Sequence, residues 1–306
     1  MPGASTISVI IPTLGRPQLV LRAVKSALAQ TYTDIETIVV VDGPDQETIT
    51  ALQSVSDPRL KTIVSGRSMQ AAGARNLGAA HATGHWIAFL DDDDEWLPKK
   101  LELQLAVATT RELGLVTCLS QIKTPRGNFV WPMIIYDNDV PIDEYLFDRR
   151  TMFSGASFIQ TSSYLIPREL YQRVPFRTDT PHDDWDFLLR LSKRFGAHIC
   201  TVPEVLVRVY AEEPRLSLSR VDTWEVSINW LEDVAPLLTR RSYSGFCLGV
   251  VGSRAANERA YSALFPLLRR AFKNGSPSLL HVLTFAAFWL MPQDFRRYVR
   301  AKLRAQ

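Results

Sequence analysis

The 306-residue chain is 46% hydrophobic and 22% charged, an ordinary globular balance that excludes a disordered or fibrous protein. Its net charge of +3 excludes the broad basicity of a nucleic-acid binder, and its length suits one large α/β domain or a medium domain with a helical appendage. Cys118, Cys200 and Cys247 are widely spaced and odd in number, which points away from disulfides and metal sites and toward a reducing, cytoplasmic compartment. No basic start followed by a long apolar core opens the chain, and no apolar run reaches the roughly 18 residues of a spanning helix.

The first element, "ISVIIPT", is an almost wholly apolar, β-branched run, the pattern of a strand buried on both faces of a parallel sheet. A turn at Gly15 leads into "PQLVLRAVKSALAQ", whose Leu19, Val20, Ala23, Val24, Ala27 and Leu28 recur at helical spacing behind Pro17. Then come "IETIVVVDG" as a second buried strand, "DQETITALQSVS" as a helix and "LKTIVSG" as a third strand. "AAGARNLGAAHAT" reads as a helix and "HWIAFLDDDD" as a fourth strand. Such alternation predicts a parallel sheet with right-handed crossovers. Beyond Pro98, "KKLELQLAVATTRELG" predicts a helix, "LVTCLSQIK" a strand and "TSSYLIPREL" a strand running into a helix. "DDWDFLLRLSKRFG" is an amphipathic helix opened by acids, and "AHICTVPEVLVRVYA" is a closing strand or pair. The pattern is helical from about residue 217, which divides the chain into a catalytic region, 1–215, and a helical region, 216–306.

Ligands of a parallel sheet sit beyond the carboxyl ends of its strands. The residues found there are Pro12 and Thr13, Asp42 and Gly43, and Asp91 to Asp94. Mg2+ and Mn2+ prefer oxygen ligands and take one or two carboxylates plus substrate phosphates, a role that suits Asp91 and Asp93. The competing reading is a solvated acidic turn whose Asp93 or Asp94 caps the next helix. Asp42 suits a nucleotide base or sugar hydroxyl, or else a plain Asp-Gly turn. Neither GxxxxGK[ST] nor GxGxxG occurs; Gly73 and Gly78 leave room for a ligand to approach the backbone, and Arg75 suits a phosphate or the acidic rim. Asp183, Asp184 and Asp186 begin a helix, where a carboxylate serves as a general base toward a sugar hydroxyl or as a cap, capping suiting Asp186 best.

Taken in order, "SVIIPTLGRPQLVLRAVKSALAQTYTDIETIVVVDG", "GARNLGAAHATGHWIAFLDDDDEWLPKKLELQ" and "HDDWDFLLRL" resemble a family 2 glycosyltransferase of the GT-A fold over about residues 7 to 215. The resemblance implies an α/β, Rossmann-like, mostly parallel sheet flanked by helices, with the helical C-terminal region outside the shared core. It implies transfer of a sugar, with inversion, from a nucleoside diphosphate-sugar donor to an acceptor hydroxyl, assisted by Mg2+ or Mn2+. Carried onto this chain, it sets Pro12, Thr13 and Arg16 beside the nucleotide, Asp42 at the base, and Arg75 and Asn76 beside the donor. Asp91 falls on the ribose or sugar side with Asp92 as its neighbour, and Asp93 on the metal. The family's base falls on Asp184, with Asp183 the nearby alternative. One departure stands out. Many relatives carry a metal-supporting histidine soon after the last core strand, whereas "VRVYAEEPRLSLS" has none, which leaves Glu212 or Glu213, or the diphosphate and waters, to fill the coordination.

The tail adds Arg269, Arg270, Lys273, Arg296, Arg297, Arg300, Lys302 and Arg304 against one acid, Asp294, around the apolar "LLHVLTFAAFWLM". Basic clusters flanking an apolar helix suit peripheral contact with an anionic membrane face; the competing readings are a core helix packed on the catalytic domain with a solvated basic end, or a dimer contact. The expectation is a cytoplasmic enzyme, peripheral on the inner face of the plasma membrane, building a bacterial polysaccharide, lipopolysaccharide or other cell-envelope glycan. Its acceptor would be a glycan or lipid-linked molecule, with no nucleic acid partner. The other readings are a non-catalytic nucleotide-sugar-binding member and a nucleotidyltransferase.

Overall fold

The computed structural model describes residues 6–109, 114–125, 127–148, 157–211 and 223–291. Strands β1 (Ile7–Thr13) and β2 (Ile35–Val41) are buried at every position, as their unbroken apolar runs require. With β3 (Leu60–Val64) and β4 (Trp86–Phe89) they form a parallel set in the order β3-β2-β1-β4. Helices α1 (Pro17–Leu28), α2 (Gln46–Gln53) and α3 (Gln70–Ala80) make the crossovers. Pro17 opens α1, and Asp45 caps α2 by accepting the Thr48 N–H at 3.1 Å. Pro12 lies beyond the last β1–β4 pair, Ile10 with Phe89, so its missing N–H costs the ladder nothing on that side.

The sheet continues through β5 (Asp94–Trp96), β6 (Leu115–Thr124), β7 (Gly127–Trp131), β8 (Leu165–Pro167) and β9 (Ile199–Tyr210). Its full order is β3-β2-β1-β4-β8-β6-β9-β5, with β7 on β6. β1 to β4, β6 and β9 run one way and β5, β7 and β8 the other, so the architecture is mixed α/β with a mostly parallel sheet. Helices α4 (Lys100–Ala108), α5 (Ile142–Phe147), α6 (Arg168–Arg173) and α7 (Asp183–Phe195) follow the expected order, α5 excepted, which falls in the stretch read as irregular. β5 and β7 are also additions to the expected list. β5 is three residues long and gains its ladder from β9 rather than from any apolar pattern of its own.

The described residues divide into two compact units. One holds residues 6–138, 158–179 and 183–211, with the whole sheet; the other holds 139–148, 157, 180–182 and 223–291. The second unit contains α5, α8 (Trp224–Val234), α9 (Arg240–Phe246), a π-helical turn at Cys247–Val251, α10 (Gly252–Asn257), α11 (Leu264–Asn274) and α12 (Leu279–Leu290). Residues 139–148 belong with it because their acids are used there. Buried Asp143 accepts the Thr239 N–H at 2.6 Å and the Ser242 hydroxyl, and Asp148 meets Arg241 Nε at 2.7 Å and His281 Nε2 at 3.1 Å. The rings of Phe147, Trp230 and Phe246 pack edge-on or tilted beside them. Among the described residues, no helix is long and apolar enough to cross a membrane.

Candidate active site

The four aspartates after β4 meet four different surroundings. Asp92 turns inward, 2% exposed, and accepts Thr13 Oγ1 at 2.8 Å and Arg16 Nη1 at 2.9 Å. Burial pushes its carboxyl up to about 6, against the pull of Arg16 and Thr13. Asp93 stands 3.4 Å from the same Arg16 nitrogen, and its carbonyl accepts Arg22 Nη2 at 2.8 Å. Asp91 remains at the rim, where Oδ1 accepts Arg75 Nη2 at 2.5 Å. Asp94 is buried in β5, and its Oδ2 accepts Ser162 Oγ at 2.6 Å and Gln160 Nε2 at 2.7 Å. Asp94 is therefore no helix cap. The N-cap of α4 is Lys99, which makes no side-chain capping bond, because β5 separates the acids from the helix.

Ser162, in the tight turn Thr161–Ser163, holds both ends of this loop. Its hydroxyl accepts the Asp91 N–H at 3.0 Å while donating to Asp94. Its carbonyl accepts Trp96 Nε1 at 2.8 Å, and buried Lys100 lies 3.9 Å over the Trp96 ring with Nζ on Gln104 Oε1 at 2.6 Å. Ser162 is missing from the expected site residues; "TSSYLIPREL" shows only a strand beginning, with no mark of a loop 71 positions away in the chain.

Arg75 joins this loop to α7. Only 7% exposed, it reaches Asp183 Oδ2 with Nη1 at 3.3 Å while Nη2 holds Asp91. It lies 5.4 Å over the Phe176 ring, within an aromatic bed of Phe89, Tyr171, Phe176 and Phe187. That apolar bed removes water from the carboxylates nearby. Burial first, and then the charge of Asp183, pushes Asp184 up to about 7; burial also raises Asp183, with Arg75 opposing. Asp184 Oδ1 accepts the Trp185 N–H at 2.8 Å, and no ion pair engages Asp184 among the described residues. A carboxylate poised near neutrality at a helix start suits general base work. Asp186 is 1% exposed and binds Arg190 Nε at 2.5 Å and Arg177 at 3.4 Å, so it is an ion-pair partner rather than a cap.

Other expected residues serve the scaffold. Asp42 is 1% exposed and both its oxygens are engaged: Oδ1 accepts the Met69 N–H at 2.7 Å and Oδ2 the Ser68 hydroxyl at 2.8 Å, which shapes loop 65–69. Asn76 fastens the segment before α7, giving its N–H to the Phe176 carbonyl at 2.8 Å and accepting Tyr171 Oη at 2.6 Å. Gly78 faces the sheet rather than a ligand, since a Cβ there would lie 2.5 Å from Ile10 Cγ2; one at Gly73 would lie 2.5 Å from Met69 Cβ. Pro12 and Thr13 end β1 beside the acidic loop. Glu212, Glu213, Asp294 and the basic residues from 296 to 304 fall outside the described residues.

Among the described residues, no group of three or more His, Cys, Asp or Glu side chains is gathered for a metal. Mg2+ needs only one or two carboxylates, with phosphate oxygens and water completing its shell. Asp91 and Asp93 offer hard oxygen donors on one turn while Asp92 is occupied inward, so the residues present fit such an ion.

The family model for "Glycosyl transferase family 2" matches residues 8–175. The chain belongs to glycosyl transferase family 2. It is therefore a glycosyltransferase, and the nucleotidyltransferase reading falls away. The amylovoran biosynthesis glycosyltransferase AmsB of Erwinia amylovora is 25% identical over 98% of this chain and 97% of its own. An Escherichia coli β-1,3-glucosyltransferase, WfgD, is 36% identical over 36% of this chain, which spans less than half (44%) of that relative. The fold is that of TarS 1-349 from S. aureus, solved with UDP-GlcNAc (TM-score 0.62, 16% identity, 96% of this chain and 92% of that one). It is also that of the mannosyltransferase PcManGT from Pyrobaculum calidifontis, solved with GDP-Man and Mn2+ (TM-score 0.57, 18% identity, 98% and 86%). The glycosyltransferase thus has relatives in bacterial polysaccharide synthesis.

Proposed function

We propose that this glycosyltransferase moves a sugar from a nucleoside diphosphate-sugar to an acceptor hydroxyl in one inverting displacement, building a bacterial surface polysaccharide or related cell-envelope glycan. The observation that carries the reading is the Arg75 guanidinium, which binds Asp91 of the acidic loop and Asp183 at the start of α7. One buried cation thereby brings donor-side and base-side carboxylates into a single site. Asp184 takes the proton of the acceptor hydroxyl as that oxygen bonds to the anomeric carbon, and the bond to the diphosphate oxygen breaks with its electron pair leaving on the diphosphate. Asp93, with Asp91, would hold Mg2+ or Mn2+, whose Lewis acidity neutralises charge on the leaving diphosphate. Pro12, Thr13 and Arg16 border the nucleotide beside Asp92, Asp42 supports the base-side loop, and Asn76 keeps the Arg75 helix fastened to the segment before α7.

The names of relatives support the choice of substrates. WfgD uses UDP-Glc with an N-acetylglucosamine diphosphoundecaprenol acceptor, which makes UDP-sugars and a lipid-linked diphosphate the first pair to test. The experiment follows thermal unfolding with UDP- and GDP-sugars, with and without Mn2+, and nucleoside diphosphate release on adding a lipid-linked diphosphate acceptor. One nucleotide class is expected to raise the unfolding temperature, and release should disappear in Asp93→Asn and Asp184→Asn. Stabilisation without release in the wild type would restore the non-catalytic reading. No stabilisation by any nucleotide diphosphate, under any metal condition, would overturn the proposal.

A further inference from the structure

Apolar side chains that line up on the solvent side of a folded unit mark a contact surface. In the second unit, α12 buries His281, Thr284, Phe285 and Phe288 but leaves Leu279, Leu283 and Leu290 exposed at 74%, 56% and 81%. Those three leucines share one stripe of the helix. α11 repeats the pattern: Leu267 and Ala271 are buried, while Phe265 and Phe272 are exposed at 78% and 55% in company with exposed Arg269 and Lys273. No Asp or Glu occurs from Leu264 to Met291. At 12 residues α12 is about 18 Å long, too short to cross a hydrocarbon core of about 30 Å.

We propose that the solvent faces of α11 and α12 dock on an anionic phospholipid surface. Phe265, Phe272, Leu279, Leu283 and Leu290 enter the boundary between headgroups and acyl chains, and Arg269 and Lys273 meet the lipid phosphates. A second copy of the chain is the poorer occupant, because a two-fold contact sets this patch against itself and brings Arg269 and Lys273 together, while Glu232 beside α11 is already held by Arg270. The proposal would bring the proposed enzyme to a lipid-linked acceptor. Lipid binding needs no turnover, so either idea can fail without the other.

The test sediments the full chain with vesicles of phosphatidylcholine alone and of phosphatidylcholine mixed with phosphatidylglycerol. The wild type is expected to pellet with the anionic vesicles and to be released by salt. Leu283→Glu should weaken that binding by roughly tenfold or more. The double variant Arg269→Gln with Lys273→Gln keeps every apolar group, and should cut the preference for phosphatidylglycerol by roughly tenfold with its unfolding temperature unchanged. Should Leu283→Glu misfold, the charge variant decides alone. Absence of wild-type pelleting with either vesicle, or equal pelleting by wild type and charge variant, overturns the proposal. So does light scattering that finds a dimer, dispersed by Leu283→Glu, in a chain that ignores vesicles.

Discussion

Arg75 is a buried cation with two acids on it and a third close by, and its charge offsets part of the burial that favours their protonated forms. Its charge lowers Asp183 and Asp184 against the burial that raises them. Arg75→Gln removes that pull, so the carboxylates hold their protons to higher pH. A base works only deprotonated; the rising limb of the pH profile of kcat/KM, expected near 7, should therefore move up by about one unit or more. Because Asp183 and Asp184 interact, the limb belongs to the pair. Arg75→Lys should restore the limb only in part, since one ammonium cannot fork between two carboxylates. A profile that stays in place would remove Arg75 from this role. Ser162→Ala makes a different demand. It leaves the Asp91 N–H and the buried Asp94 carboxylate short of a partner, a cost of about 1–3 kcal/mol in unfolding free energy. Donor KM should rise more than kcat falls, because the loop is loosened while Asp184 is untouched; an equal fall in kcat and kcat/KM, with KM unchanged, would contradict a loop-holding role. The sequence showed Asp91 to Asp94 at a strand end and Asp183 to Asp186 at a helix start, and only the family resemblance settled on Asp91, Asp93 and Asp184 among them. Ser162 was not legible, since nothing local distinguishes a serine whose partners lie 68 and 71 residues off.

At the scale of elements, the β1 to β4 half of the sheet was legible because β1 and β2 are unbroken, largely β-branched runs and strands alternate with helices that have their own period. The edge was not. β5 carries two acids and a tryptophan and exists only because β9 supplies a ladder, so the pairing partner rather than local propensity decides it. Glycines in α3 show the same limit. They read as openings for a ligand, yet Gly78 lets the helix press onto β1 and β2, with Ile10 Cγ2 at 2.5 Å and Val40 Cγ2 at 3.1 Å from where a Cβ would stand. Both neighbours are buried strand residues with little room to yield. Gly78→Ala should therefore destabilise by about 1–3 kcal/mol despite alanine's better helix propensity. Chemical denaturation measures this directly, and a stabilised variant would mean that the helix can lift from the sheet.

For the whole molecule, two buried titratable groups, His182 in the second unit and Asp92 in the first, respond to acid in opposite directions. His182 in the second unit is 2% exposed, 4.8 Å from the Trp230 ring and 3.1 Å from Arg254 Nη1; burial, and then Arg254, pushes it down to about 3. The folded chain thus binds fewer protons than the unfolded one between about 3 and 6.5, and stability falls as pH falls through that window. From pH 7 to pH 5 the loss is about 2 kcal/mol. Asp92, raised to about 6 from 3.8 by burial, works the other way. Its folded form binds more protons between those values, which returns about 1 kcal/mol by pH 5. Differences between variants separate the two contributions. His182→Phe keeps a ring beside Trp230 and Phe246 without a site to protonate, so its unfolding free energy should fall less than the wild type's between pH 7 and 5, by about 2 kcal/mol. Asp92→Asn should fall more than the wild type, by about 1 kcal/mol. Parallel pH curves for wild type and His182→Phe would mean that the histidine finds a way to charge while folded, which its burial against the rings of Trp230 and Phe246 makes costly.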